Sequence, residues 1–136
     1  MPITRYLRKK INDYIFGNTA YTPPATIYAG ILVNIAAVDG SYTEATYTGY
    51  ARIAIANNKT SFSVSSDVDE TQITNNVEIY FNTHEGGTSV SVTNIGYFDA
   101  PTGGNLLAYA PYVKILEVSD RLVIPVAGLV ITHKNI

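Results

Sequence analysis

Histidine is the side chain that most often moves protons near neutral pH, and the chain contains two, His84 and His133. His84 stands beside Glu85 and the Gly86-Gly87 pair, which predicts an exposed turn. His133 ends the last predicted strand, where we also expect exposure. The sequence supplies neither ring with a partner at a defined spacing, as general acid–base catalysis requires. Two histidines and no cysteine leave little material for a zinc site and none for a thiol nucleophile.

Carboxylates are the second group that could do chemistry. Asp67, Asp69 and Glu70 form a short acidic loop whose oxygens suit Ca²⁺, but their spacing differs from that of a known calcium loop, so a solvated surface loop is favoured. A glycosidase-like pair among the eleven acids stays open, because counting does not tell which carboxylates meet. The Gly103-Gly104 pair lacks the following lysine and helix of a phosphate loop and predicts a hairpin turn. We expect no enzyme activity, no metal and no cofactor.

The composition points to β-structure. The chain has 136 residues, enough for one domain with a single core. Hydrophobic residues make up 46% and charged residues 15%, which excludes a disordered charged tail. Tyrosine occurs 11 times against 4 phenylalanines and no tryptophan, and threonine and asparagine are abundant. Aromatic and β-branched side chains pack well on a pleated sheet, so an all-β protein with a weakly charged exterior is predicted.

Charge is concentrated at the amino terminus. Arg5, Arg8, Lys9 and Lys10 give the first ten residues a charge of +4, while the other residues carry 5 basic and 11 acidic side chains, which makes −6. The basic group is too small for the extended positive surface that nucleic-acid binding needs. No apolar run approaches the ~20 residues of a membrane span, and no signal peptide is recognisable. We therefore expect neither nucleic acid nor membrane as a partner.

A short helix should precede the strands. Apolar residues spaced by four, four, three and one predict an amphipathic helix over residues 4–16. They are Ile3, Leu7, Ile11, Tyr14 and Ile15. Thr4 is a candidate amino-terminal cap and Gly17 a candidate stop. Residues 1–20 are interpreted as a helical arm that packs on the body or on a neighbouring subunit.

From residue 21 onward the pattern is that of strands. Eight runs are predicted: 26–33, 50–56, 60–64, 77–81, 89–98, 105–112, 122–126 and 129–133. Turn signals separate them, among them Asp39-Gly40-Ser41. One helix followed by about eight short strands predicts an all-β fold, a β-sandwich or jelly roll formed by residues 21–136.

The tyrosines favour a contact surface. Tyr42, Tyr47 and Tyr50 cluster around a threonine-rich loop, while Tyr109 and Tyr112 flank a proline. Exposed tyrosine rings serve sugar binding by stacking, and they also serve protein interfaces, where a large apolar body is buried under a polar tip. The interface is the favoured interpretation.

Four segments resemble a family of small tailed-bacteriophage virion proteins that are often labelled tail fibre proteins. They are residues 17–28, 49–54, 95–107 and 127–132, with Thr-Pro-Pro-Ala-Thr in the first and Asp-Ala-Pro-Thr-Gly-Gly-Asn-Leu-Leu in the third. The resemblance covers nearly the whole chain and is weak over residues 60–88. In size and class the chain is also similar to phage capsid cement, or decoration, proteins. Neither the Thr-Pro-Pro-Ala-Thr run nor the Asp-Ala-Pro-Thr-Gly-Gly-Asn-Leu-Leu run is catalytic, so the resemblance implies a structural role.

We therefore expect a virion protein, assembled in the host cytoplasm, that clamps neighbouring major capsid proteins and stabilises the shell. The alternative is a tail fibre or baseplate component, or a receptor-binding tip; a host glycan is a partner only in that case. A phage enzyme or glycan-binding module with a hidden carboxylate pair is a third hypothesis. Copies of the chain itself are expected partners, as a homo-oligomer. The predicted interface residues are Arg5, Leu7, Arg8, Lys9, Ile11, Tyr14, Tyr42 and Tyr47.

Overall fold

The computed structural model describes residues 3–36 and 41–134, and in these residues one helix precedes ten strands. The elements are α1 (Arg5–Phe16), β1 (Thr26–Ile35), β2 (Tyr42–Glu44), β3 (Ile53–Ala56), β4 (Phe62–Ser66), β5 (Glu70–Asn75), β6 (Ile79–Tyr80), β7 (Val90–Phe98), β8 (Leu106–Leu116), β9 (Val123–Ile124) and β10 (Val130–Lys134). Every strand pairing is antiparallel.

The strands form three sheets. The main sheet has five strands in the order β2-β1-β7-β8, and β3 pairs with the other end of β1. The second sheet has the order β10-β5-β4, and β6 pairs with β9 in a small third sheet. Chain neighbours β7 and β8 form the longest hairpin, with Ile95 opposite Ala110. The all-β sandwich predicted from the sequence is confirmed.

The principal core lies between the main sheet and the other two. Alternation in β1 turns Ala29 and Ile31 to this side, where they meet residues of all three sheets such as Phe62, Ile79 and Ile131. Their exposed fractions are 8% or less. One apolar cluster thus spans the three sheets, which share this core.

The other face of the main sheet is also buried, over a smaller cluster of Leu32, Phe98, Leu106 and Tyr109. Gly30 of β1 lies directly opposite Gly96 of β7 beneath this cluster. A Cβ at Gly30 would stand 2.8 Å from the Phe98 ring, and one at Gly96 would stand 2.7 Å from Leu106. The glycine pair therefore makes the room into which the large side chains pack.

Local prediction succeeded for the helix. Predicted over residues 4–16, it is observed as Arg5–Phe16 with Thr4 as the amino-terminal cap. Gly17 ends it, its backbone N–H donating to the Asp13 carbonyl at 3.0 Å. The cap hydroxyl and the apolar spacing are both local signals, which explains the agreement.

All eight predicted strand regions contain strands, with altered ends, whereas β2 and β5 were not predicted. Their sequences, Tyr-Thr-Glu and Glu-Thr-Gln-Ile-Thr-Asn, contain few apolar residues. Backbone pairing with β1, β4 and β10 makes them strands, and a side-chain pattern does not report such pairing. The turn predicted at Asp39-Gly40-Ser41 falls largely outside the described residues.

Candidate functional site

The first candidate for proton chemistry, His84, is completely buried, so the exposed turn predicted for it is wrong. Its ring stacks on Tyr47 with centroids 4.8 Å apart and planes at 9°. Nε2 donates to the Thr88 carbonyl at 2.8 Å, a role assigned because a carbonyl only accepts. The backbone of His84 is bonded to Asp120 and Ser119, each at 2.8 Å, and these long-range bonds draw the segment inward. The His84 ring is therefore a packed side chain of the protein interior.

Tyr47, expected at an interface, is only 6% exposed, and the surface position predicted for its ring is wrong. Its hydroxyl donates to the Asn82 carbonyl at 2.7 Å, and burial raises the pKa of that hydroxyl. Tyr42 is half-buried and packs edge-on against Phe98 at 5.2 Å. The large apolar body of tyrosine is buried here against the chain's own core. His133, expected to be exposed, is half-buried in β10.

The acidic loop is a turn between β4 and β5. The Asp67 N–H donates to the Glu70 carbonyl at 2.8 Å, and the Val68 N–H donates to the Asp67 carboxylate at 2.6 Å. Across residues 3–36 and 41–134, no three His, Asp or Glu side chains stand close enough to hold one metal ion. Asp67, Asp69 and Glu70, which are exposed or half-exposed, lie at the tip of the β4–β5 hairpin.

A partly buried ion pair that the sequence did not predict joins β2 to the residue before β3. The Arg52 guanidinium donates to both oxygens of Glu44, at 2.8 and 2.9 Å. The Arg52 side chain is 3% exposed and that of Glu44 is 22% exposed. The Tyr50 hydroxyl donates to the same carboxylate and accepts from the Ile31 N–H at 3.0 Å. Burial, and then the Glu44 carboxylate, raise the pKa of Tyr50 above its ordinary value.

The same guanidinium holds the turn between β7 and β8. Arg52 donates to the carbonyls of Ala100 and Gly103, at 2.8 and 2.9 Å, and lies 3.5 Å above the Phe98 ring. Gly103 and Gly104 have φ of +60° and +67°, a conformation that glycine adopts without strain. The hairpin turn predicted at this glycine pair is confirmed. Because four of its five N–H donors are bonded within the chain, Arg52 is a structural clamp.

The helical arm is attached through its first turn. The Thr4 N–H donates to the Leu107 carbonyl at 3.0 Å, and Ile3 forms a bridge with Ala108 of β8. The Thr4 hydroxyl lies 2.6 Å from the Leu106 carbonyl and accepts from the Leu7 N–H at 3.4 Å. One residue thus caps the helix and fixes it to the edge of the main sheet, so the first turn packs on its own chain.

The remainder of the helix is exposed to solvent. None of the twelve residues of α1 is fully buried. Four large apolar residues, which we call the arm end, face solvent: Ile11, Tyr14, Ile15 and Phe16, with exposed fractions of 39%, 57%, 61% and 89%. An exposed apolar cluster of this kind is typical of a contact surface. Most of the predicted interface residues thus lie on this one helix: Arg5, Leu7, Arg8, Lys9, Ile11 and Tyr14.

The basic residues of the arm lie beside this apolar surface. Lys9 and Lys10 are exposed; Lys9 pairs with Asp13 at 2.6 Å, and Lys10 lies 5.7 Å from the centre of the Tyr6 ring. An exposed i,i+4 pair contributes only about 0.3–0.5 kcal/mol, so Lys9 can exchange Asp13 for another partner at little cost in free energy. The arm thus presents apolar and positively charged groups together.

An apolar pocket of about 320 Å³ opens beneath the arm. It lies between the helix, the segment that follows it, and the facing sides of the main and second sheets. Its lining includes Leu7, Tyr21, Pro23, Phe62, Val64 and Ile73. Tyr97 also lines it, and burial raises the pKa of its hydroxyl. The sequence did not predict this pocket, because its walls come from segments far apart in the chain.

These features define the class of the protein: an antiparallel β-sandwich with a short amphipathic arm and an apolar pocket beside it. In residues 3–36 and 41–134 no helix combines the length and apolar character of a membrane span.

The chain belongs to the family described as Podophage GP4 fiber I protein gp80, whose model matches residues 2–132. No curated protein matches the chain. The resemblance to phage proteins labelled tail fibre proteins is confirmed, and the protein is a structural component of a phage virion.

Proposed function

We propose that this protein is a structural part of the tail fibre of a podophage, and that it acts by binding its neighbours without catalysing a reaction. The supporting observation is the match of residues 2–132 to a family described as a fibre protein. Of the two locations that the sequence left open, this description favours the tail fibre over the capsid cement. A cement role is therefore the weaker hypothesis.

The geometry supports a binding role in two ways. The sandwich is fastened by long-range bonds such as those of Arg52, so it offers neighbours a rigid surface. The arm end exposes Ile15 and Phe16 to water, which is unfavourable for apolar side chains. Contact with a neighbour in the particle would bury them and remove this cost. The partners we propose are copies of this chain and adjacent virion proteins. We propose neither nucleic acid nor membrane as a partner.

Labelling of intact particles tests the location. Fab fragments raised against the purified protein and coupled to gold should mark the tail fibres in electron micrographs, and Fab fragments against the major capsid protein should mark the head in the same preparation. Label spread over the head would overturn the fibre location and restore the cement hypothesis.

Incubation of the purified protein with host surface glycans tests the absence of catalysis. We expect no shortening of the glycan chains. Release of sugar fragments that disappears after replacement of a carboxylate pair would overturn a purely structural role.

A further inference from the structure

The arm end and the apolar pocket are exposed surfaces of one chain that do not meet within that chain. Leu7 lines the pocket, and Phe16 follows nine residues later on the same helix. At 1.5 Å per residue, Phe16 lies roughly 14 Å beyond Leu7 along the helix axis. The helix is anchored at Thr4 and is continuous to Phe16, so its far end lies away from the pocket that Leu7 lines, and no arm-end residue contributes to that lining.

The hairpin at the pocket carries the opposite charge to the arm. We call β4, β5 and their turn, residues 62–75, the acidic hairpin; its three acids and lack of basic residues give a net charge of −3. The helix Arg5–Phe16 has four basic residues and one acid, a net charge of +3. The hairpin also presents Val64 and Val68, which are 54% and 89% exposed, and Val64 lines the pocket.

We infer that the arm end of one copy docks on the acidic hairpin and pocket of a second copy. Apolar side chains of the arm, Phe16 foremost, would cover Val64 and enter the pocket, while Lys10 would approach the acids of the turn. This is the helix-in-groove mode of recognition, with charge setting the orientation and apolar burial supplying most of the free energy.

The contact joins two different surfaces, so each copy offers one arm and one pocket. Such contacts close either by mutual exchange of arms between two copies or by rotation into a ring. In both cases every arm end becomes covered. The contact depends only on this chain, so it should form in purified protein wherever the protein lies in the virion.

Disulfide trapping tests the contact directly, because the chain contains no cysteine. Phe16→Cys and Val64→Cys variants, carrying different affinity tags, are mixed and oxidised. We expect a mixed disulfide between the two variants. The matched control replaces Val64→Cys by Val113→Cys, since Val113 is 84% exposed but lies on β8 outside the pocket lining. Equal trapping with the control, or trapping only between two Phe16→Cys chains, would overturn the inference.

Charge exchange tests the orientation. Lys10→Glu should weaken self-association, measured by sedimentation velocity, by about tenfold in the dissociation constant, and adding Asp69→Lys to the same chain should restore most of it. Both side chains are exposed, so folding is expected to be unaffected, which circular dichroism checks.

Two outcomes of sedimentation would contradict the inference. One is a wild-type protein that stays monomeric at high concentration, and the other is a double variant, Lys10→Glu with Asp69→Lys, that self-associates no more tightly than Lys10→Glu alone. Either result would leave the fibre location untouched, since gold labelling of particles tests that location separately.

Discussion

At the scale of single residues, Arg52 has the largest structural role among the side chains that the sequence did not single out. It joins Glu44 of β2, two carbonyls of the β7–β8 turn and the Phe98 ring, which are segments far apart in the sequence. Lysine lacks the planar fork needed for this set of bonds. A buried charge pair that loses its geometry is costly, because the remaining charge stays desolvated.

We expect Arg52→Lys to lower the free energy of unfolding by about 2–4 kcal/mol, since the bidentate pair and the ring contact are both lost. Urea denaturation followed by circular dichroism measures the change. The matched control is Arg121→Lys, because Arg121 is exposed and lies 5.2 Å from the Tyr80 ring centre. Its effect should stay within about 0.5 kcal/mol. An equally small effect at Arg52 would contradict the role of a clamp.

Two tyrosines, one buried and one half-buried, should respond to loss of the hydroxyl in opposite directions. The Tyr97 hydroxyl is buried and finds no hydrogen-bond partner among the described residues, whereas that of Tyr50 bonds to Glu44 and Ile31. Tyr97→Phe should therefore raise the free energy of unfolding by about 1 kcal/mol, and Tyr50→Phe should lower it by about 1–3 kcal/mol. Urea denaturation of the two variants compares them; destabilisation by both would show that the Tyr97 hydroxyl is hydrogen-bonded in solution.

The raised pKa of Tyr97 predicts loss of stability in alkali. An unfolded tyrosine ionises near pH 10, whereas burial raises the pKa of Tyr97 in the folded protein above that value. Below about pH 10 both states keep the proton, and above it the unfolded state binds fewer protons, so the free energy of unfolding falls by up to about 1.4 kcal/mol per pH unit. Urea titrations between about pH 9 and about pH 11 measure the slope, which should be shallower in Tyr97→Phe. An unchanged slope in that variant would contradict the assignment.

At the scale of elements, the helix and the strands differ in how their positions arise. The arm is a local structure: its cap, apolar spacing and terminal glycine all lie within residues 3–17, and the predicted helix agrees with the observed one to within one residue. β5 is a non-local structure, because it has one large apolar residue, Ile73, and becomes a strand by pairing with β4 and β10. Prediction from side-chain pattern therefore found the first and missed the second.

The attachment of the arm predicts a separable effect at Thr4. Thr4→Val removes the hydroxyl that bonds the Leu106 carbonyl and the Leu7 N–H, at a cost of about 1–2 kcal/mol. Hydrogen exchange of the α1 amides should accelerate more than that of the strands. Thr19→Val is the control, since its exposed hydroxyl lies 3.5 Å from the Gly17 carbonyl. Uniform acceleration across the whole protein would mean that the arm and the sandwich unfold together.

At the scale of the whole molecule, the distribution of charge and apolar surface suits an assembly subunit. The sandwich buries its tyrosines Tyr47, Tyr97 and Tyr109 in its own core, so they do not form the contact surface that their number suggested. Exposed apolar groups are carried by the arm end and the acidic hairpin, which have opposite charge, and also by β8, where Val113 and Ile115 are exposed. Long-range attraction of this kind depends on ionic strength and acts mainly on the association rate.

Neutralising the arm should lower incorporation of the protein into particles. With Lys9→Gln and Lys10→Gln together, we expect reduced copy number per virion and weaker salt dependence of association, because the positive field of the arm is diminished. Quantitative mass spectrometry of purified particles measures the copy number. Lys59→Gln with Lys114→Gln is the matched control, since both lysines are exposed on the sandwich. Equal losses in the two double variants would assign the effect to total charge.

The sequence by itself determined the features that depend on near neighbours: the capped helix, the glycine turn between β7 and β8, and the alternation that makes the fold all-β. The tertiary structure decided which faces meet. It buried His84 and Tyr47, brought Arg52 to Glu44, and left Phe16 exposed to solvent. The physical reason is that burial and ion pairing are properties of contacts between distant segments, and the sequence shows the residue types without showing which of them come together.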